Sequence, residues 1–275
     1  MDTEASVARH YAQEELERVI DRALAAAGLD PTRPSADDLA AVDEFHIGGR
    51  AATADFAAEL GIGPGRHLLD IGSGLGGPAR YFALAYGCRV TGIDLTADFV
   101  RVAAALAERV GLGGLVTYRQ GSALDLPFEA ESFDGAYMLH VGMNIEDKAA
   151  LFAGIRRVLR PGGVFGIYDV MRFSEGAIRF PVPWASEPGT SFVESPERYR
   201  TLLRRAGFEI LKERDRRSFA IDFFNEMRAR AAKAGPPPLG THLLMGEAAP
   251  QKIANMIDGL ERGLIAPVEI VSRRT

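Results

Sequence analysis

A glycine-rich segment at residues 72–77 has the clearest chemical meaning in the sequence. Gly72, Gly74 and Gly77 have the spacing G-x-G-x-x-G, and they follow a short apolar run at residues 67–70 (HLLD). Glycines between a strand and a helix permit a tight turn and let the backbone approach a ligand closely. The spacing therefore predicts a nucleotide-binding loop, and by itself it fits the fingerprint of a nicotinamide dinucleotide.

Asp70, two residues before the first glycine, distinguishes between the ligands that such a loop could hold. A dinucleotide would place its pyrophosphate at the N-terminus of the following helix, which attracts anions. A carboxylate about 5 Å from that charge would cost about 3 kcal/mol at an effective dielectric of about 20. S-adenosylmethionine instead carries an ammonium and a sulfonium group, which Asp70 would attract. The charge at position 70 favours this cationic ligand.

Asp94 ends a second strand-like run at residues 89–94 (RVTGID), about twenty positions after the glycines. An acidic residue at this distance accepts hydrogen bonds from the ribose diol of an adenosine ligand. Both candidate ligands contain a ribose, so Asp94 indicates an adenosine group without choosing between them. The alternative is that Asp94 only caps the helix that begins near Thr96.

His140 is the best candidate for a group that takes part in a reaction. It directly follows a predicted strand at residues 133–139, and parallel sheets bind ligands at the carboxyl ends of their strands. Because histidine titrates near neutral pH, His140 is predicted either as a general base or as a neutral ring that lines the ligand site. Asn144, Tyr168 and Trp184 are predicted to line an acceptor pocket. No metal is expected, because no set of side chains has metal-ligand spacing.

Alternating strands and helices position these residues. Strand-like runs at residues 67–70, 89–94, 115–119, 133–139 and 164–169 alternate with helical stretches, and further runs follow at residues 208–211 and 268–271. This rhythm is typical of βαβ units and a parallel sheet. Helical patterns occupy about the first sixty residues, where Ser35 and Asp38 form a predicted capping box. The predicted fold is α/β, a Rossmann-like doubly wound sheet of about seven strands with a helical cap.

The cap is predicted to come from an N-terminal preface and from two insertions. The predicted segments are residues 1–60 (helical preface), 61–170 (ligand-binding core), 171–195 (cap insertion), 196–217 (core continuation), 218–264 (helical cap insertion) and 265–275 (last core strand). Trp184, the only tryptophan, stands among prolines in the first insertion. We expect its ring to face the acceptor, whereas most other apolar residues of the cap are expected to form the cap's own core.

Composition limits the classes of partner. The net charge of −5 provides no basic field for nucleic acid, so no nucleic-acid partner is expected. The longest uncharged run, residues 234–246, is too short and too rich in proline and glycine to span a membrane. These features predict a soluble, cytoplasmic protein. Oligomeric state stays open between a monomer and a homodimer, because apolar cap surface suits a pocket or a dimer contact.

Five motifs in order over residues 67–170 resemble those of the class I S-adenosylmethionine-dependent methyltransferases. The motifs are residues 68–77 (LLDIGSGLGG), 90–94 (VTGID), 120–128 (QGSALDLPF), 132–136 (SFDGA) and 158–163 (VLRPGG). The chain is similar to the branch that methylates quinones, tocopherols, glycine or sarcosine, and phosphoethanolamine. The resemblance implies S-adenosylmethionine as cofactor, S-adenosylhomocysteine as product, a small-molecule acceptor and an antiparallel last strand.

The resemblance also implies which residues contact the cofactor. Asp70 and the loop backbone would hold the methionine end, Asp94 the ribose, and Leu95 the adenine. A segment at residues 45–50 (FHIGGR) resembles one that folds over the cofactor in relatives, although His46 could instead only pack or cap the preface. The full predicted set is His46, Gly48, Asp70, Gly72, Ser73, Gly74, Gly76, Asp94, Leu95, Ser122, Ala123 and His140.

Three positions depart from the pattern of this family. Ser122 stands where many relatives have an acidic residue that accepts the adenine amino group, so its hydroxyl and the backbone of Ala123 are expected to replace that contact. Many relatives have a histidine near position 144, where this chain has Asn144, and an acidic residue at position 140, where this chain has His140. Three functions are consistent with the sequence. The protein is predicted to transfer a methyl group to a small acceptor, and the alternatives are a nicotinamide-dependent oxidoreductase and a non-catalytic S-adenosylmethionine-binding module.

Overall fold

A computed structural model describes residues 3–11 and 15–275 of the 275-residue chain, and these residues form one seven-stranded sheet. The order across the sheet is β3-β2-β1-β4-β5-β7-β6. The strands are β1 (His67–Ile71), β2 (Arg89–Asp94), β3 (Val116–Gln120), β4 (Phe133–Leu139), β5 (Leu159–Arg172), β6 (Phe208–Asp215) and β7 (Ile265–Arg274). The first five strands are parallel, and β7 is antiparallel to both of its neighbours. The predicted Rossmann-like fold is confirmed.

Helices cover both faces of the sheet and build the cap. They are α1 (Thr3–Tyr11), α2 (Leu16–Ala26), α3 (Ala36–Asp43), α4 (Gly49–Leu60), α5 (Gly77–Tyr86), α6 (Ala97–Arg109), α7 (Lys148–Val158), α8 (Pro196–Arg205), α9 (Arg217–Ala234), α10 (His242–Met245) and α11 (Ala249–Glu261). The helical preface predicted for residues 1–60 begins with α1 and α2, and residues 1, 2 and 12–14 lie outside the described residues. None of the described helices is long and apolar enough to cross a membrane.

Local signals in the sequence fix several helix starts. Ser35 and Asp38 form the predicted capping box at the start of α3, each side chain accepting a hydrogen bond from the other residue's backbone. Ser195 accepts from the backbone N–H of Arg198 at 3.2 Å and begins α8. Such caps satisfy backbone donors that have no partner inside the helix.

Three strands are at least four residues longer than the sequence predicted, and one of them is β6, which covers Phe208–Asp215 rather than residues 208–211. Strand β5 begins at Leu159 rather than at residue 164, and β7 covers Ile265–Arg274 rather than residues 268–271. β7 lies between β5 and β6 and pairs with both along its length. The Pro161 turn at residues 160–163 interrupts the pairing of β5 with β4, whereas from Val164 to Arg172 β5 pairs with β7. Tertiary pairing therefore extends these strands beyond what the local signal predicts.

The segments predicted as a cap pack in two different ways. Phe56 and Leu60 of α4 contact the sheet so closely that a Cβ on Gly166 would lie 2.5 Å from both side chains. Helices α2, α3, α6 and α10 instead form a separate apolar cluster beside the sheet. The division of the chain into core and cap segments stays a prediction, and α4 belongs physically to the layer that covers the sheet.

The strand order reverses between β1 and β4, because their connections lead to opposite edges of the sheet. In doubly wound sheets, ligands bind in the crevice at the carboxyl ends of the strands at such a point. The residues after β1 and β4 are the glycine loop and His140. The topology therefore brings the two sequence features with the most chemical meaning to one place.

Candidate functional site

A cavity of about 290 Å³ lies at the carboxyl ends of the parallel strands. Its walls come from the glycine loop, from the ends of β2 and β4, from the segment after α3 and from α1. Of the residues predicted to contact the cofactor, the lining includes His46, Asp70, Gly72, Ser73, Gly74, Asp94, Leu95, Ala123 and His140. The structure therefore brings together most of the predicted contacts from segments that are far apart in sequence.

Glycines give this loop a shape that other residues could not adopt. Gly72 has a φ of +67°, and a Cβ there would lie 2.5 Å from a methyl group of Val141. Gly76 has a φ of +79°, and its Cβ would lie 2.1 Å from the hydroxyl of Tyr118. Both positions need the left-handed region and leave no room for a side chain. The backbone amides of the loop are thereby held at the edge of the cavity.

Asp70 is buried at the floor of the cavity. The residue is 2% exposed, and its Oδ2 has no hydrogen-bond partner among the described residues. Burial raises its pKa well above the ordinary value of 3.8; the nearby hydroxyl of Tyr137 acts against that rise, and Asp94 and Glu44 add to it. A buried carboxylate oxygen without a partner is costly, so a cation at this place would stabilise the charged form of Asp70.

Asp43, a residue that the sequence analysis missed, lies in the same wall. Its side chain is fully buried and paired with that of Arg80, which is also fully buried. Its other oxygen, Oδ1, has no partner within the described part of the chain, and the residue lines the cavity. Burial raises the pKa of Asp43, while Arg80 acts against that rise. Two carboxylates thus lie at the glycine end of the cavity.

Packing also fixes where Asp43 lies. A Cβ on Gly77 would lie 2.5 Å from Oδ1 and 2.6 Å from the carbonyl oxygen of Asp43. The last glycine of the loop is therefore needed for the approach of α3 rather than for a turn. No local signal in the sequence predicts the pairing of Asp43 with Arg80, because the two residues are 37 positions apart.

Asp94 holds the loop and also lines the cavity. Its Oδ2 accepts from the backbone N–H of Gly74 at 2.8 Å, and its Oδ1 accepts from that of Thr96 at 2.9 Å. The second bond is the capping role considered as the alternative for this residue. Both roles are compatible, because a carboxylate has further lone pairs for a ribose diol.

Ser122 is not among the residues that line the cavity, and its hydroxyl is engaged by two neighbours. Its hydroxyl donates to Oε1 of Glu4 in α1 and accepts from the backbone N–H of Leu124 at 3.0 Å. Glu4, another residue missed in the sequence, lines the cavity together with Leu95 and Ala123. The acidic group absent from position 122 is thus brought there by a helix 118 positions away in sequence.

His46 is fixed in the segment between α3 and α4. Its side chain is 2% exposed, and its Nε2 lies 3.1 Å from both the carbonyl oxygen of Gly49 and the hydroxyl of Thr53. Since Thr53 donates its only hydroxyl hydrogen to Glu44 at 2.7 Å, both contacts of His46 require Nε2 to be the protonated nitrogen. Burial lowers the pKa of His46 to about 4, so the ring is neutral.

His140 follows β4 in an unusual backbone conformation, with a φ of +57°. Its ring lies against that of Tyr168, with centroids 5.0 Å apart, and its Nε2 is buried without a partner in the described structure. Burial, with a smaller contribution from His46, lowers its pKa well below the ordinary value of 6.5. His140 is therefore neutral near pH 7, and one of its ring nitrogens can accept a proton or a hydrogen bond.

Three predicted residues act behind the cavity wall. Tyr168 is fully buried, and its hydroxyl donates to the carbonyl oxygen of Ile47 at 3.0 Å. Gly48 has no room for a side chain, since its Cβ would lie 2.3 Å from the ring of Phe219 in α9. Trp184 is 3% exposed in the core of the cap, and its indole N–H donates to Ser191 at 2.9 Å. The structure does not bring Trp184 to the cavity, because the cap uses this ring for its own core.

Asn144 connects the cavity to the cap. It lines the cavity, and its amide nitrogen donates to the carbonyl oxygens of Trp184 at 2.7 Å and Thr190 at 3.2 Å. It therefore fastens the insertion at residues 171–195 to the turn after β4. Over residues 3–11 and 15–275, no three His, Cys, Asp or Glu side chains come together in a way that could hold a metal ion.

Comparisons with known proteins agree with this geometry. Residues 69–167 match the family model described as a methyltransferase domain. The O-methyltransferase resE of Aspergillus sclerotiorum is 31% identical over 184 residues, which cover 65% of this chain and 68% of that protein. The erythromycin 3''-O-methyltransferase of Saccharopolyspora erythraea is 36% identical over 163 residues, or 55% of this chain and 53% of that protein. The chain spans only 41–44% of the length of several other curated relatives.

Solved structures show the same fold. The phosphoethanolamine N-methyltransferase 2 of Haemonchus contortus, in complex with S-adenosyl-L-methionine, superposes with a TM-score of 0.76 at 18% identity and covers 100% of this chain and 60% of that one. The fold, the matched domain and the relatives agree: this chain belongs to the class I S-adenosylmethionine-dependent methyltransferases.

Proposed function

We propose that this protein transfers a methyl group from S-adenosylmethionine to a small-molecule acceptor. One observation carries the proposal: the buried Asp70 has an unpartnered carboxylate oxygen beside the glycine loop. A nicotinamide dinucleotide would bring its pyrophosphate to this helix N-terminus and meet both Asp70 and Asp43. A sulfonium cofactor carries two cations, which would satisfy the same carboxylates.

The residues present fit this cofactor from end to end. Asp70 and Asp43 would take the ammonium group, and Asp94 would accept from the ribose hydroxyls. Leu95 and Ala123 line the far side of Asp94 and would contact the adenine. The unpartnered oxygens of Asp70 and Asp43 support this fit, because buried polar groups rarely remain without a hydrogen bond.

The chain's own contribution to catalysis would be orientation and exclusion of water. When bound, the cofactor supplies an electrophilic methyl group on a good, neutral leaving group, so a dry and well-ordered site provides much of the rate. α1 covers the cavity through Thr3, Glu4 and Val7. His140 would hold the acceptor by a hydrogen bond and take its proton where the acceptor is a hydroxyl.

Charge in the cavity limits the class of acceptor. The acidic residues of the lining are Glu4, Asp43, Asp70, Asp94, Glu146 and Asp147, and no lysine or arginine is among the described lining residues. A phosphate would meet repulsion of about 2 kcal/mol for each unit charge about 8 Å away. We therefore propose a neutral or cationic acceptor, a hydroxyl or an amine, without a phosphate group.

Binding and transfer measurements test the proposal. Calorimetric titration should give micromolar binding of S-adenosylmethionine and no binding of NADH. Transfer of a labelled methyl group should then be screened against matched hydroxyl, amine and phosphorylated acceptors. Binding of NADH, or of neither ligand, would refute the cofactor assignment. Transfer only to phosphorylated acceptors would refute the acceptor class alone.

A further inference from the structure

Glu4 of α1 lies at the end of the cavity beyond Asp94. The walls there are apolar, with Leu95, Phe99, Ala123 and Leu124 among the lining residues. If Asp94 takes the ribose, as the proposed function requires, the purine lies between these side chains. Glu4 lines the cavity together with these residues and is hydrogen-bonded to Ser122, so the two polar side chains would lie beside the purine.

Hydrogen bonds decide which of these two residues is available to the purine. The single hydroxyl hydrogen of Ser122 is donated to Oε1 of Glu4, and its oxygen already accepts from the backbone N–H of Leu124. Oε2 of Glu4 has no partner among the described residues, although Glu4 lines the cavity. A carboxylate accepts through both oxygens and donates nothing. The free acceptor at this edge is therefore Glu4.

We infer that Glu4 accepts the hydrogen bond from the purine amino group, so that the N-terminal helix α1 recognises the base as well as covering the site. This inference rests on the proposed function. It accounts for the serine at position 122, because the acidic group reaches the same place from α1. Ser122 becomes a positioning residue that holds the Glu4 carboxylate.

Two ligands that differ only in the amino group test this inference by calorimetry. One is S-adenosylhomocysteine, and the other is the same compound with hydrogen in place of the purine amino group. We expect the wild type to bind the first about ten-fold or more tightly than the second, since a hydrogen bond to a charged acceptor is lost. In Glu4→Ala the ratio should fall to about one- to three-fold, because the acceptor is absent.

Val7→Ala is the matched control, because Val7 lies on the same helix and lines the same cavity. It should weaken both ligands alike and leave their ratio at the wild-type value. An unchanged ratio in Glu4→Ala, with both ligands weakened equally, would assign Glu4 to helix docking only and overturn the inference. Failure of wild-type protein to bind S-adenosylhomocysteine would overturn the proposed function and this inference with it.

Discussion

Replacing Asp70 with asparagine isolates the charge at the floor of the cavity. The two side chains have nearly the same shape, so the substitution removes the negative charge and keeps one carbonyl oxygen. Asp70 is 2% exposed, with one oxygen unpartnered, so water screens it little. A cation about 5 Å from the carboxylate gains about 3 kcal/mol at an effective dielectric of about 20. This energy corresponds to a loss of affinity of about 100-fold.

Calorimetry with three ligands gives this prediction its direction. Asp70→Asn should weaken both S-adenosylmethionine and S-adenosylhomocysteine, because both contain the ammonium group. An additional loss for S-adenosylmethionine alone would indicate that Asp70 also acts on the sulfonium. NADH should bind neither the wild type nor the variant.

Asp134→Asn serves as the matched control for Asp70→Asn. Asp134 lies at the start of β4, where it accepts from the backbone N–H of His67 at 2.8 Å, far from the cavity end of the sheet. This variant should lose stability but bind the cofactor as the wild type does. Equal affinity in Asp70→Asn and the wild type would refute the argument that a cation faces Asp70.

Three further predictions concern buried titratable residues. Arg80→Met leaves the fully buried Asp43 unpaired, and denaturant unfolding should show a loss of about 3–5 kcal/mol, whereas adding Asp43→Asn should recover part of it. His140→Asn removes the base but introduces a residue that tolerates the φ of +57°. This variant should lower kcat about 100-fold in methyl-label transfer to a hydroxyl acceptor, while the Kd of S-adenosylhomocysteine changes less than about three-fold. An unchanged kcat would show that His140 only lines the site. Since the pKa of Asp70 is raised on folding, the folded free protein keeps a proton on this carboxyl that the unfolded chain loses above about pH 4. The stability of the free protein should therefore fall as pH rises from there, whereas its affinity for the cofactor should rise. Thermal melts and titrations across pH should show both changes to be less steep in Asp70→Asn.

The sequence by itself determined the parallel core of the sheet and the family. Alternating apolar runs and helices, with glycines directly after β1, leave few arrangements other than a doubly wound sheet. Ser35 and Asp38 also predicted the start of α3, because a cap depends on residues only three positions apart. Asp70 and Asp94 were found for the same reason, since each lies next to a strand end that periodicity predicts.

Only the tertiary structure decided how the cavity is closed. Asp43 packs against Gly77 of the loop and pairs with Arg80, and Glu4 bonds to Ser122, each across a long separation in sequence. Trp184 was expected to face the acceptor, yet the packing of the cap places its ring in the cap's own core. Helices and strands follow from periodic patterns of neighbouring residues, so the sequence predicts them. Contacts between the cap and the core depend on the shape and charge of segments that are far apart in the chain, and neither segment's sequence indicates its partner.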